Sequence, residues 1–261
     1  MNATQDLTES VKKMLAAVQY LCGTNFHSFW LYGSLVLDDF RPGWSDIDFL
    51  ALTNSPLTPV QAEQLLGLRQ QLSEQEPPVP YARSFEGIFV SISEYLTRQY
   101  TRLVYWGTSG QRITDRYPED PFAQFELARY GKCIFGSPDR QIFTEPDPAA
   151  LTEAVRRHYL SIRRCAGQTD ESLYSCGWLL DIARCLYTLR HFDVIGKTQA
   201  GQWALENHLF PDEEPLRKAL MIRKNPAAYK DRSDIREWLR SLGQTVRQYA
   251  DVLEKALQNA G

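Results

Sequence analysis

The apolar residues of this chain change their period once, at Gly136-Ser137-Pro138-Asp139, and that change narrows the folds open to it. Before the break, helical spacing alternates with short strand-like runs. After it, from about Asp147, every apolar pattern is helical. Val11, Leu15, Val18 and Leu21 predict a helix over 9–21. Residues 26–32 predict a strand ending at Gly33-Ser34, and residues 47–52 a second strand after a turn on Pro42 and Gly43. Pro59 opens a helix to about Glu76, which Pro77, Pro78 and Pro80 stop. Residues 82–92 read as a third strand. Residues 94–136 read as a helix, a polar stretch from Gly107 to Pro118, a helix from Pro121 and a short strand near Ile134. Five helices follow, at 151–165, 173–189, 198–209, 213–222 and 234–257. The pattern predicts an α+β protein, with a mixed β-sheet domain over residues 1–146 and an all-α helical bundle over residues 147–261.

Composition removes other classes. A chain of 261 residues, 43% apolar and 23% charged, can bury a sizeable core and is neither disordered nor fibrous. No run approaches 18 apolar residues, so no membrane span is expected. The N-terminus is polar and carries acids, unlike a secretory signal or transit peptide. Cys22, Cys133, Cys165, Cys176 and Cys185 lack CxxC spacing and read as reduced thiols of a cytoplasmic protein, with one disulfide among the last three as the alternative. His27, His158, His191 and His208 lack metal-ligand spacing and read as surface or core residues. The net charge of −3 argues against a long nucleic acid as partner. Residues 1–145 carry 12 basic and 17 acidic side chains, and the remainder 17 and 15. An acidic half and a basic half could grip a small metal-bound anion, or the split could be chance.

The segment that carries chemistry is Leu31-Tyr32-Gly33-Ser34, followed by Ser45-Asp46-Ile47-Asp48-Phe49-Leu50. Glycine allows a tight turn and close backbone approach, and serine adds a hydroxyl beside exposed N–H groups, a cradle for phosphate oxygens. Strand alternation puts Asp46, Asp48 and Leu50 on one face. Two carboxylates on one face of an apolar strand need neutralising, and Mg²⁺ is commonly held by one or two carboxylates plus substrate phosphates. Glu86 is a third acid, in an apolar strand of its own. Together these residues predict metal-dependent phosphoryl or nucleotidyl transfer. An Asp-x-Asp alone would be read as solvated acids at a strand start.

The pair of segments resembles the signature of the DNA-polymerase-β-like nucleotidyltransferase superfamily. Arg83-Ser84-Phe85-Glu86-Gly87-Ile88-Phe89-Val90, Ala183-Arg184-Cys185-Leu186-Tyr187-Thr188 and the segment Lys197–Glu206 resemble aminoglycoside adenylyltransferases of the spectinomycin/streptomycin type. The resemblance covers most of residues 10–225. It implies that Asp46, Asp48 and Glu86 hold Mg²⁺, two ions, and that Glu86 is the general base. It further implies that Gly33, Ser34, Ser45, Asp120, Arg184 and Lys197 contact ATP. Asp170 and Asp181 could attract a small cationic acceptor bearing a hydroxyl. Eleven residues separate Ser34 from Asp46, one more than is usual in that family, and Trp44 stands in the enlarged turn.

The expected activity is therefore transfer of AMP from ATP to a hydroxyl of an aminoglycoside-type antibiotic, with release of pyrophosphate. Two alternatives stand beside it: the same chemistry on another acceptor, such as a protein side chain, and a non-catalytic nucleotide-binding partner of another protein.

Overall fold

The computed structural model describes residues 3–107, 110–118 and 120–259. Parts of the expected polar N-terminus (Met1-Asn2) and polar stretch (Thr108-Ser109) lie outside the described residues. The chain divides into two compact units.

The first is built on a six-stranded sheet. In chain order its elements are α1 (Ala3–Cys22), β1 (Phe26–Leu31), β2 (Ile47–Thr53), α2 (Pro59–Glu74), β3 (Phe85–Ser91), α3 (Ile92–Thr97), β4 (Leu103–Gly107), β5 (Gly110–Thr114), the later part of α4 (Pro121–Arg129) and β6 (Lys132–Gly136). The strand order is β5-β4-β3-β2-β1-β6. Only β2 and β3 run parallel, joined through α2; the other pairs are antiparallel. The entry to α2 is fixed locally. Thr58 and Gln61 form a reciprocal capping box, and Pro59 occupies the first turn, where its missing N–H costs nothing.

Apolar side chains cover both faces of the sheet. Trp30, Leu50, Leu52, Ile88 and Val90 pack with Tyr95, Leu103, Leu127 and Phe143 on one side. On the other, the Phe49 ring meets Phe29 at 5.2 Å, Phe89 at 5.0 Å and Trp106 at 5.6 Å. Every residue of β2 is buried except Asp48, and every residue of β3 except Glu86.

Two strands escaped the sequence reading. Leu103–Trp106 is apolar throughout because β4 is an interior strand, so it shows no alternation. β5 is an edge strand and is polar, so it reads as a loop. The helix expected after residue 94 is short and ends at Arg98, whose φ of 57° is left-handed.

The second unit is helical: α5 (Pro148–Cys165), α6 (Tyr174–His191), α7 (Lys197–Glu206), α8 (Glu214–Lys224), α9 (Pro226–Tyr229), α10 (Ser233–Ser241) and α11 (Gly243–Asn259). The expected single helix over 234–257 is two helices, broken at Leu242. A Cβ on Gly243 would lie 2.5 Å from the Ala166 carbonyl oxygen, so glycine permits the close approach there. The five cysteines are free thiols. Among the described residues no helix is long and apolar enough to cross a membrane.

Two segments expected in the first domain, Leu37–Ser45 and Asp120–Phe125, belong to the helical unit. The first is anchored by Asp39. Its carboxylate accepts hydrogen bonds from Arg223 Nη2 at 2.7 Å, from the Thr198 N–H at 3.1 Å and from the Thr198 hydroxyl. Asp39 thus caps the start of α7 from a distant loop. A Cβ on Gly196 would lie 2.6 Å from the Asp39 Cβ, so the cap requires glycine there. Trp44 joins this assembly, with the Arg223 guanidinium 5.3 Å from its ring.

Both ion-pair partners are buried, with side-chain exposures of 2% for Asp39 and 3% for Arg223. Burial pushes the Asp39 carboxyl up, but Arg223 and the Thr198 hydrogen bonds outweigh it and leave the group below the ordinary carboxylate range. The pair therefore stabilises the fold above the unfolded carboxylate pKa, and that contribution is lost as pH falls through the lower folded value. Asp39→Ala, which strands the Arg223 charge, should cost about 3–5 kcal/mol in chemical denaturation. Asp39→Asn should flatten the acid limb of the stability profile; an unchanged acid limb would show that the pair does not govern it.

Candidate active site

One end of the sheet gathers the chemical groups of the first unit. β1 arrives there and runs into Gly33-Ser34, while β2 and β3 both begin there. In the parallel register Asp48 stands directly opposite Glu86. The Tyr32 N–H donates to the Asp48 carbonyl at 3.1 Å, which holds the Gly-Ser turn against the head of β2.

Gly33 has φ +68°, and a Cβ there would fall 1.9 Å from Asp48 Oδ2. Glycine is required twice over, for its left-handed backbone and for contact with the carboxylate. Ser34 Oγ lies 3.5 Å from the Asp46 carbonyl, at the outer limit of a hydrogen bond. Ser45 sits in the helical unit, where its hydroxyl accepts the Arg41 N–H at 3.0 Å and closes the turn. Tyr105 donates its hydroxyl to Glu86 Oε1 at 3.3 Å.

Asp46, Asp48 and Glu86 are half-buried at this end of the sheet. Among the described residues no group of three or more His, Cys, Asp or Glu side chains stands close enough to hold a metal ion. The three expected ligands therefore do not close into a three-carboxylate cage. Mg²⁺ does not need one, since it keeps several waters and takes one or two carboxylates with substrate phosphates. The donor set, hard oxygens on partly exposed carboxylates beside the Gly33 turn, fits that ion.

The helical unit assembles a second group of charges. Asp181, on α6 and 9% exposed, accepts from Lys197 Nζ, 3.0 Å from Oδ1 and 3.1 Å from Oδ2, and from Arg184 Nη2 at 3.2 Å. The Phe122 ring lies 5.4 Å from the Arg184 guanidinium and 4.9 Å from the His158 ring. His158 is held below the ordinary imidazole value, first by burial and then by Arg184, against the opposing pull of Asp120 and Asp181. Asp120 caps α4 by accepting the Phe122 N–H at 3.0 Å. The structure thus brings together Asp120, Asp181, Arg184 and Lys197. Asp170 is exposed and engaged elsewhere: it accepts the Ser172 N–H at 2.8 Å in the turn before α6.

Residues 23–95 match the family model of the nucleotidyltransferase domain, and residues 141–255 match that of the aminoglycoside adenylyltransferase C-terminal domain. The chain therefore pairs a nucleotidyltransferase domain with a C-terminal domain of the aminoglycoside adenylyltransferase type. Its fold is similar to that of a spectinomycin adenyltransferase, AAD(9), from Enterococcus faecialis, solved with ATP and spectinomycin. That match has a TM-score of 0.68 at 17% identity and covers 95% of this chain and 99% of the other. A search of the curated proteins finds no match.

As a nucleotidyltransferase, the chain carries functional candidates that sequence reasoning missed. His158 lacked any spacing signal because its partners come from α4, α6 and α7. Tyr105 lay in an unrecognised strand. Asp39 and Arg223 are 184 positions apart, a pairing that no local pattern announces.

Gly33→Ala should abolish nucleotidyl transfer while the sheet still folds, because the new methyl collides with the Asp48 carboxylate and the backbone is strained. The check is turnover beside a melting curve. Turnover within threefold of the parent would contradict the close approach of turn and carboxylate.

Proposed function

We propose that this nucleotidyltransferase moves AMP from ATP to a hydroxyl of an aminoglycoside-type antibiotic related to spectinomycin or streptomycin. The observation that carries the reading is the register of Asp48 opposite Glu86 beside the Gly33 turn, the two places where otherwise buried strands keep a half-exposed acid. Support for the acceptor class comes from the match of residues 141–255 and from the neighbour solved with ATP and spectinomycin.

One or two of the half-exposed carboxylates Asp46, Asp48 and Glu86 would hold Mg²⁺ together with the phosphates, and the ion when bound supplies charge neutralisation for them. Glu86 takes the proton of the acceptor hydroxyl. The hydroxyl oxygen then bonds to the α-phosphorus, the bond from that phosphorus to the bridging oxygen breaks, and pyrophosphate leaves. Tyr105 orients the Glu86 carboxylate through its hydroxyl. The Gly33-Ser34 turn offers backbone donors to the phosphates, Ser45 fixes the turn leading into Asp46, and Arg184 and Lys197 supply phosphate cations. Asp120 serves the nucleotide from the start of α4.

One observation favours a second reading of the acceptor. Asp181 is committed to Lys197 and Arg184, and Asp170 to its own turn, so neither offers an unengaged carboxylate to a cationic antibiotic. The same transfer onto a different hydroxyl fits that commitment.

The test is magnesium-dependent pyrophosphate release with a panel of acceptors, spectinomycin and streptomycin first. Release with either supports the antibiotic reading; release only with other hydroxyl compounds supports the second. Silence across the panel with bound ATP would favour a non-catalytic nucleotide binder. Glu86→Gln keeps the shape but cannot take the proton, so single-turnover rates should fall by about 10²–10⁴, with ATP still bound. A stabilised variant with full turnover would remove Glu86 from the chemistry.

A further inference from the structure

The helical unit meets its two phosphate cations with an anion of its own. Lys197 Nζ and Arg184 Nη2 converge on the same Asp181 oxygen, Oδ1, at 3.0 and 3.2 Å. One oxygen shared by a lysine and an arginine is the arrangement a phosphate oxygen would take. Asp181 lies one turn before Arg184 on α6, so its backbone holds it beneath the cations. Their side chains keep more exposure, 27% for Lys197 and 18% for Arg184 against 12% for Asp181. The cations can therefore meet an incoming anion on their outer side while the carboxylate remains behind them.

We propose that Asp181 is an internal counter-anion that stands in for phosphate on Arg184 and Lys197, and so lowers the affinity for both ATP and pyrophosphate. It is a positioning residue, acting through the two cations. Without nucleotide, two half-buried cations would face each other uncompensated; Asp181 keeps them folded in place. With nucleotide, the same carboxylate repels the phosphates across the cations it holds, and this favours release of pyrophosphate after transfer. A carboxylate in this position carries its full charge at neutral pH, since Lys197 and Arg184 outweigh the upward push of burial on its pKa. The assignment rests on the reading of Arg184 and Lys197 as phosphate contacts.

The test is calorimetric binding of Mg-ATP and of inorganic pyrophosphate to the full chain, in the parent, Asp181→Asn and Lys197→Met. Asp181→Asn should tighten both by roughly tenfold or more, as removal of a nearby like charge predicts, with acceptor binding unchanged. Lys197→Met should weaken both. Unchanged or weaker binding in Asp181→Asn, with Lys197→Met weakened, would overturn the proposal and leave Asp181 a structural anchor. Unchanged binding in Lys197→Met would instead sink the phosphate reading, and the proposal with it. If Asp181→Asn does not fold, Asp181→Ser is measured. If neither folds, the carboxylate is indispensable to the fold, and the claim that it trades against phosphate fails.

Discussion

The single parallel pair in the sheet governs the chemistry of the first unit. Parallel strands start at the same end, so β2 and β3 deliver their first residues side by side, and the register puts Asp48 opposite Glu86. An antiparallel pair would have sent one acid to the far edge. Parallel pairing needs a crossover, which α2 provides between the two strands. With both faces covered, every other side chain of β2 and β3 is buried and apolar or small. The acids survive in this setting because they lie at the strand heads, where water still reaches them. Two residues further into the sheet, an ionised carboxylate would be costly to keep without a partner.

The loop between Ser34 and Asp46 carries a different constraint. Its ends are continuous with the turn and with the head of β2, yet its middle, Leu37–Ser45, counts with the helical unit. Asp39 explains why: an acid at 2% exposure is tolerable because Arg223, Arg41 and the start of α7 satisfy it. The residue following Gly196 at that helix start is Lys197. The anchor that orders the loop therefore also orders the helix turn from which Lys197 reaches Asp181. The extra length of this segment and the presence of Trp44 gain a physical account here, since Trp44 packs by Arg223 and would lie 3.6 Å from a Cβ on Gly177.

What the sequence made legible was local. β1, β2 and β6, α2 and the helices of the second unit follow from period, proline and glycine, and the residues Gly33, Asp46, Asp48 and Glu86 follow from motif chemistry. β4 and β5 were illegible for opposite reasons, one too uniformly apolar and the other too polar. The break before Gly243 was hidden because its cause is a carbonyl on another helix. The site in the helical unit was half legible. Arg184 and Lys197 are readable only through family resemblance, and Asp181 was read as an attractor of a cationic acceptor, although its surroundings commit it to two cations.

That last difference bears on how charge is distributed in the molecule. An excess of acids in the first half and of bases in the second suggests complementary poles, but net charge does not describe either site. At the sheet end the acids stand half-exposed on backbone fixed by strand register, which suits a hard cation arriving with its waters. In the helical unit Arg184 and Lys197 are already paired with Asp181, and under the proposed function their availability to phosphate would depend on the strength of that pairing. An electrostatic site built this way has its cations placed before the ligand arrives, at the cost of binding it less tightly. Under the proposed function, such a balance would suit an enzyme that releases a highly charged product in every cycle.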